Sequence, residues 1–445
     1  MTHARQPIPA ATSTDDNGGG ELRRRRDSAL GRGARLFYAE PLEIVRGEGV
    51  HLFDARGRRY VDMYNNVPSV GHGNPVVVEA MRRQQSTLNV HSRYLHEGIV
   101  TFAERFCALQ SETIQSVVIS NSGTEANDVA VRMARAVTGH RGVIVSSANY
   151  HGSSELINGF ARAAADPAAF PEVRTFPFPD LYRPFEDGID ERELTERYIR
   201  ALTEAVDSLT RNGIGVAALL VCPILANEGL PDVPTGFWTS AAKVIRAAGG
   251  VIIADEVQSG YGRTGRWWGY DVAGLTPDIV VTGKPMGNGL PLAATAASRD
   301  IVDCFRQVTR YFNTAAASPL QAAVGMAVLD EIENRDLVAN AALLGSKLKN
   351  AFASRAGKQD WIGDVRGFGL FIGIDIVRES EGTSPDPQRA AHIVELLKDR
   401  GFLTSVAGAY ANLIKIRPPL VIADEHVEEF LAAFDDACEV IDAHR

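Results

Sequence analysis

Apolar and polar positions along this chain follow several different rhythms, and each predicts a different kind of element. Residues 2–20 have no apolar periodicity and end in three glycines. Arg23, Arg24, Arg25 and Arg26 then form a solvated run, so residues 1–35 are expected to be a disordered tail. From residue 41, short extended runs at Ile44 and Val45, at Val50, Leu52 and Phe53, and at Tyr60 and Val61 are punctuated by Gly47, Gly49 and Gly57. This pattern predicts a β meander with a turn over 54–57. Helical spacing follows through Val77, Ala80 and Met81 and then Ile99, Phe102, Ala103, Phe106 and Leu109, predicting helix within 76–110. The middle of the chain alternates strand with helix. Short β-branched runs at 117–120, 143–145, 216–221, 251–254 and 279–282 have no polar face, and helical stretches at 124–138, 190–211 and 237–248 intervene. Such strands belong in a mainly parallel sheet covered by helices on both faces. Beyond 330, helices near 334–356, 386–400 and from Asp424, with strands near 369–376 and 413–416, predict a smaller α+β lobe. The expected fold class is α/β. A large domain over 96–330 is flanked by segments 36–95 and 331–445, which pack together as the small domain.

A length of 445 residues allows one or two sizeable domains, and 45% apolar with 23% charged residues is ordinary for a globular protein. The formal charge of −9 gives no general attraction to nucleic acid. No apolar run approaches the roughly 20 residues of a membrane span, and the N-terminus lacks a hydrophobic export segment. Cys107, Cys222, Cys304 and Cys438 lie far apart, forming neither a CxxC pair nor a disulfide framework. A reducing cytoplasm is the expected setting, and no metal site is expected.

Four segments carry chemistry. Asn121-Ser-Gly-Thr-Glu-Ala-Asn127 follows a predicted strand and opens a helix. Gly123 permits close backbone approach, and Thr124 adds a hydroxyl where free N–H groups favour a phosphate. Tyr150-His151-Gly152 ends the next strand with a planar side chain suited to stacking on a flat ligand. Asp255-Glu256-Val257-Gln258-Ser-Gly260 sets two carboxylates at a strand's C-terminal end, where α/β folds place ligands, and Arg263 and further glycines follow. Lys284 ends another strand ahead of Pro-Met-Gly-Asn-Gly289-Leu-Pro291. A lysine between a strand and such a loop can be desolvated and act as a nucleophile or proton shuttle.

Together these segments, over about residues 38–435, resemble the class III (ω-) aminotransferases, fold-type I enzymes that use pyridoxal 5′-phosphate (PLP). The resemblance implies a seven-stranded, mainly parallel sheet in the large domain. It also implies that Lys284 is the Schiff-base lysine and that Asp255 pairs with the protonated pyridine nitrogen. Tyr150 and Val257 would sandwich the ring, with His151 beside it, and Gln258 would reach towards the phenolic oxygen. Ser122, Gly123 and Thr124 would form the phosphate cup. Tyr311-Phe-Asn-Thr314 resembles the segment that enters the neighbouring subunit's site, so Thr314 would cap that subunit's PLP phosphate in a homodimer with shared sites. Ala315-Ala-Ala-Ser-Pro319 departs from the family's usual diglycine there.

The resemblance goes further at the N-terminal side. Tyr64-Asn65-Asn66 with its following Gly71-His72-Gly73, and Asn89-Val-His91-Ser-Arg93-Tyr-Leu-His96, resemble the phospho-lyase branch that acts on ethanolamine phosphate and 5-phosphohydroxylysine. Arg93, aided by His72, His91 or His96, would hold a substrate phosphate, and Asn66 would contact substrate. Arg417, in Ile414-Lys-Ile-Arg-Pro-Pro, resembles the family arginine that receives a substrate carboxylate, and its fork would accept phosphate equally. Cys222 stands where ordinary members have glutamate. The expected substrate is a small phosphorylated amine or amino acid. The expected reaction is phosphate elimination from O-phosphoethanolamine, giving acetaldehyde, ammonia and phosphate. The alternative is an ω-aminotransferase passing the amine to pyruvate or 2-oxoglutarate.

Overall fold

In the computed structural model, which describes residues 18–186, 188–378 and 382–443, the apolar run Val251–Asp255 is the central strand of a seven-stranded sheet. The order across the sheet is Ser116–Ser120, Ala293–Ala297, Ile279–Thr282, Val251–Asp255, Val216–Val221, Gly142–Ser146 and Val173–Phe176. Only Ala293–Ala297 runs against the others. The five strands expected from β-branched runs are all present. Two were not expected. Ala293–Ala297 is Ala-Ala-Thr-Ala-Ala, a poor strand former by composition. Its small side chains lie buried beneath the helix Gly123–Thr138, and the Thr295 hydroxyl donates to the Ala126 carbonyl at 2.7 Å. Tertiary packing overrides propensity there.

The helical region expected over 76–110 is two helices, Pro75–Thr87 and Glu97–Ala108, and the Asn89–His96 motif is the loop between them. Segment 18–30 corrects the expected tail: it forms the helix Gly18–Leu30, while residues 1–17 lie outside the described residues. Leu, Arg, Glu and Ala there are good helix formers, and propensity alone supports an element that buries little surface. The N- and C-terminal segments share a sheet. Phe402–Leu403 adds in parallel to Arg59–Asp62 at the end of the meander, with Phe402 opposite Val61. A second sheet, Ile362–Phe368, Phe371–Ile376, Leu413–Ile416 and Ser405–Ala407, brings Arg417 to the large sheet's edge. No helix among the described residues is long and apolar enough to cross a membrane.

The paired carboxylates at the end of the central strand part company. Asp255 faces the open edge, whereas Glu256 is fully buried in the scaffold. There it accepts from the Ser259 hydroxyl (2.6 Å) and from the backbone N–H groups of Gly269 (2.9 Å) and Tyr270 (2.6 Å). Burial pushes its carboxyl up to about 7, against the pull of those donors. Because all three neighbours donate, the position demands an acceptor. Glu256→Gln would turn an amide NH2 towards a backbone N–H, so it is expected to destabilise the chain by about 1–3 kcal/mol, the cost of an unsatisfied buried group. Thermal denaturation showing an unchanged midpoint for this variant would refute the assignment.

Candidate active site

Because the strands on either side of Asp255 run parallel, the loops after 116–120, 142–146, 216–221, 251–255 and 279–282 all emerge at one edge. The cavity there is lined by Gly123, Thr124, Tyr150, His151, Gly152, Cys222, Asn227, Asp255, Val257, Gln258 and Lys284. Every strand-end motif singled out in the sequence therefore converges on one place.

Asp255 is held as a fixed carboxylate. Its Oδ2 accepts from Asn127 Nδ2 at 3.0 Å and lies 2.7 Å from His151 Nδ1, and its Oδ1 accepts the Val257 N–H at 3.0 Å. Asn127 also donates to the His151 carbonyl at 2.8 Å, tying two strand-end loops together. Sequence reasoning left Asn127 without a role. It sits one turn into the helix that begins at Gly123, so its side chain returns to the face that carries the loop, and that spacing was the available signal.

The cup at the helix start is shaped by what cannot be larger. Ser122 caps Gly123–Thr138 by accepting the Glu125 N–H, leaving the first N–H groups of the helix free for an anion. A Cβ on Gly123 would stand 2.9 Å from Val257 Cγ2. Gly152 has φ +147°, and a Cβ there would meet Thr124 Oγ1 at 2.7 Å. The donor set and the glycine-lined cradle fit PLP: N–H groups for its phosphate, Val257 and Tyr150 for its ring, and Asp255 for a protonated ring nitrogen.

Lys284 follows the strand Ile279–Thr282 after the single residue Gly283 and is lowered from the ordinary lysine range by burial, an effect Arg417 adds to and Asp255 opposes. A larger share of its amine is thus neutral, as a nucleophile or base requires. Burial pushes the Cys222 thiol up, so at this position the chain offers a neutral group.

A second cavity opens beside Lys284, lined among others by Tyr64, Asn149, Arg162, Asn227, Lys415 and Arg417, with no carboxylate among the described residues of its lining. One hydrogen-bonded chain crosses its floor. Asn227 donates to the Tyr150 carbonyl (2.9 Å), Gln258 Nε2 donates to Asn227 Oδ1 (3.0 Å), and Arg417 Nη1 donates to Gln258 Oε1. Arg417 also donates from Nε to the Tyr64 carbonyl at 2.8 Å, and its guanidinium lies 4.6 Å from the Tyr64 ring centroid. Gln258 therefore joins the cofactor cavity to Arg417. Asn227, five residues after Cys222, and Lys415, within the Ile414-Lys-Ile-Arg motif, were not recognised as lining residues.

Two expected substrate residues lie elsewhere. Asn66 is buried in the scaffold, donating to the Gln258 carbonyl (2.9 Å) and accepting from Arg263 Nε (3.0 Å), so its polar groups are engaged in holding loops. Arg93 does not line the cavity of its own protomer. Its guanidinium stacks 3.9 Å from the Phe312 ring centroid, against which His91 also packs, because the 88–96 loop lies along segment 311–314. His72 is bound to Asp62 at 2.8 Å, remote from this role. Thr314 is exposed. Tyr311 and Asn313 just before it both donate to Glu125 Oε1 at 2.6 Å, and Ala317 takes φ 54° where the family's glycine pair is missing.

Comparison with known proteins agrees with this geometry. The aminotransferase class-III family model matches residues 37–438. An alanine–glyoxylate aminotransferase 2-like protein of Drosophila melanogaster is 34% identical over 94% of this chain and 86% of its own. Ethanolamine-phosphate phospho-lyase homolog 1 of Caenorhabditis elegans is 32% identical over 96% of this chain and 95% of its own. Among solved structures, a phospholyase from Arthrobacter in complex with phosphoethanolamine superposes with a TM-score of 0.90 at 38% identity, covering 94% of this chain and 99% of that one. With the strand-end constellation and these matches in agreement, the chain belongs to the class III aminotransferase family of PLP-dependent, fold-type I enzymes.

Proposed function

We propose that the enzyme is a phospho-lyase that eliminates phosphate from O-phosphoethanolamine or a closely related phosphorylated amine. The observation that carries this reading is the cavity beside Lys284, walled by Arg162, Lys415 and Arg417 and without a carboxylate among the described residues of its lining. Such a wall favours a substrate with a multiply charged anion. The likeness to a phospholyase that was solved with phosphoethanolamine supports it.

When bound, PLP supplies an electron sink that acidifies the carbon bearing the substrate's amine. The protein's part is positional and electrostatic. Asp255, fixed by Asn127, His151 and the Val257 N–H, keeps a negative charge at the ring-nitrogen end of the cavity. Lys284, its amine favoured neutral by burial, takes the proton from that carbon. Arg417, oriented by Gln258 and the Tyr64 carbonyl, holds the substrate's anion and offsets the charge that grows on it as the carbon–oxygen bond breaks. Arg93 stacks on Phe312, two residues before the exposed Thr314, and this outward placement supports a homodimer in which both serve the neighbouring protomer's site.

The deciding experiment supplies O-phosphoethanolamine without any keto acid. Equimolar phosphate and acetaldehyde are expected; amine transfer to pyruvate with no phosphate released would replace the lyase by an ω-aminotransferase, the reading favoured by similarity to the alanine–glyoxylate aminotransferase 2-like protein. Lys284→Ala should reduce turnover by orders of magnitude, and near-normal rates would exclude Lys284 as the base. Arg417→Ala should cut kcat/KM for O-phosphoethanolamine at least about tenfold while the cofactor stays bound, in line with a charge-assisted contact of about 1.5–3 kcal/mol. Thr314→Ala should weaken PLP retention without unfolding the chain, and a fully active monomer in sedimentation would dismiss the shared site.

A further inference from the structure

Lys415 is buried at the wall of the second cavity and has no carboxylate partner among the described residues. It lies two residues before Arg417 at the end of the strand Leu413–Ile416, and alternate residues of a strand share a face. The Lys415 ammonium and the Arg417 guanidinium accordingly lie 5.6 Å and 5.8 Å from the centroid of the same Phe371 ring. Lys415 donates to the Ala226 carbonyl at 2.6 Å, which engages one of its three protons. Every other element packed around it has a definite charge character. The 222–229 loop brings the Cys222 thiol and Glu228, both pushed towards their neutral forms by burial, and Glu228 is bonded to the Ser146 hydroxyl. The segment after Ile279–Thr282 brings Lys284, an amine whose charged form burial disfavours. On the neighbouring strand Phe371–Ile376, Asp375 is already bound by Arg183, Arg366 and Asn412. Burying like charges side by side is costly unless an anion joins them.

We propose that Lys415 and Arg417 form one subsite for a dianionic phosphate ester, with Lys415 the residue that selects phosphate over carboxylate. The proposal rests on the phospho-lyase reading for the identity of the substrate. A carboxylate carries one charge and is matched by Arg417 alone, whereas a phosphate monoester approaches two near neutral pH and is matched by the pair. Burial, reinforced by Arg417, lowers the Lys415 ammonium to about 7, so the lysine is charged below that pH and loses its charge above it. Anion binding should draw the proton back on, and affinity should therefore fall as pH rises through 7 and beyond.

The test uses the PLP-loaded enzyme and sulfate, a dianion whose own charge is constant from pH 6 to 9. Calorimetric titration at pH 6.5 is expected to show at least about tenfold weaker sulfate binding in Lys415→Met than in wild type, with PLP absorbance unchanged. The gap should narrow by pH 8.5, where wild type has lost the lysine charge. Lys415→Arg, which keeps the charge, should bind sulfate well at both pH values and lose the wild-type slope; this variant tests the idea even if Lys415→Met folds poorly. Equal sulfate affinity in wild type and Lys415→Met at pH 6.5, or an undiminished slope in Lys415→Arg, overturns the subsite. In parallel, the KM for O-phosphoethanolamine should rise at least tenfold in Lys415→Met. Wild type that binds sulfate through Lys415 yet releases no phosphate from O-phosphoethanolamine keeps the subsite and removes the lyase reading.

Discussion

An excess of buried positive charge at the C-terminal edge of the large sheet governs the site. Lys284, Lys415, Arg417 and, just behind them, Arg263 are all shifted below their ordinary ranges, and desolvation is the largest cause for each. Among the described residues Asp255 is the one carboxylate lining the cofactor cavity, and its oxygens are already bonded to Asn127, His151 and the Val257 N–H. The fold holds the cations with neutral acceptors. Ala226, Tyr64, Leu370 and Pro418 offer their carbonyls, and Gln258 and Asn66 offer amide oxygens. Carbonyl oxygens orient a guanidinium or ammonium without cancelling its charge. The result is a pocket preorganised for anions, in which attraction to a ligand is not consumed by an internal salt bridge.

The same cations knit the chain together. Arg263, 1% exposed, leaves the loop after the central strand to bond Asn66 of the N-terminal segment and the Leu370 and Pro418 carbonyls of the C-terminal one. Arg417 repeats this from the other side, reaching Gln258 in the large domain and Tyr64 in the N-terminal segment. Three stretches of sequence more than a hundred residues apart are thereby fixed around one opening. Asn66 and Arg263 therefore hold the segments that carry Gln258 and Arg417, although neither residue lines either cavity.

This division explains what could be read from the chain. Strand-end motifs such as 121–127, 255–258 and Lys284 were legible because tight glycine loops and exposed ends of apolar strands leave local signatures. The five β-branched strands were legible for the same reason. Ala293–Ala297 was not, because its place depends on room beneath a helix rather than on propensity. Asn66, Asn227 and Lys415 were misread or passed over because their roles come from partners 192, 31 and 189 positions away, separations no local pattern encodes. Arg93 and Thr314 line neither cavity, so under the proposed reading their meaning rests on a homodimer that the sequence signals only by resemblance.

Elimination and amine transfer begin alike, with a proton leaving the carbon that bears the amine, and Lys284 serves either. They separate at the next carbon, where a lyase must release a group whose negative charge rises as its bond to carbon breaks. A wall containing a carboxylate would oppose that rise. Here the wall is Arg417, Lys415 and Arg162, and the position beside Lys284 that might have offered another acid is Cys222, held as a neutral thiol. Under the proposed reading, positive charge on the side of the departing group, with Asp255 the one carboxylate among the described residues lining the two cavities, would lower the cost of losing an anion relative to returning a proton. The distribution of charge about Lys284, more than the identity of Lys284 itself, is what inclines this member of the family towards releasing phosphate under the proposed reading.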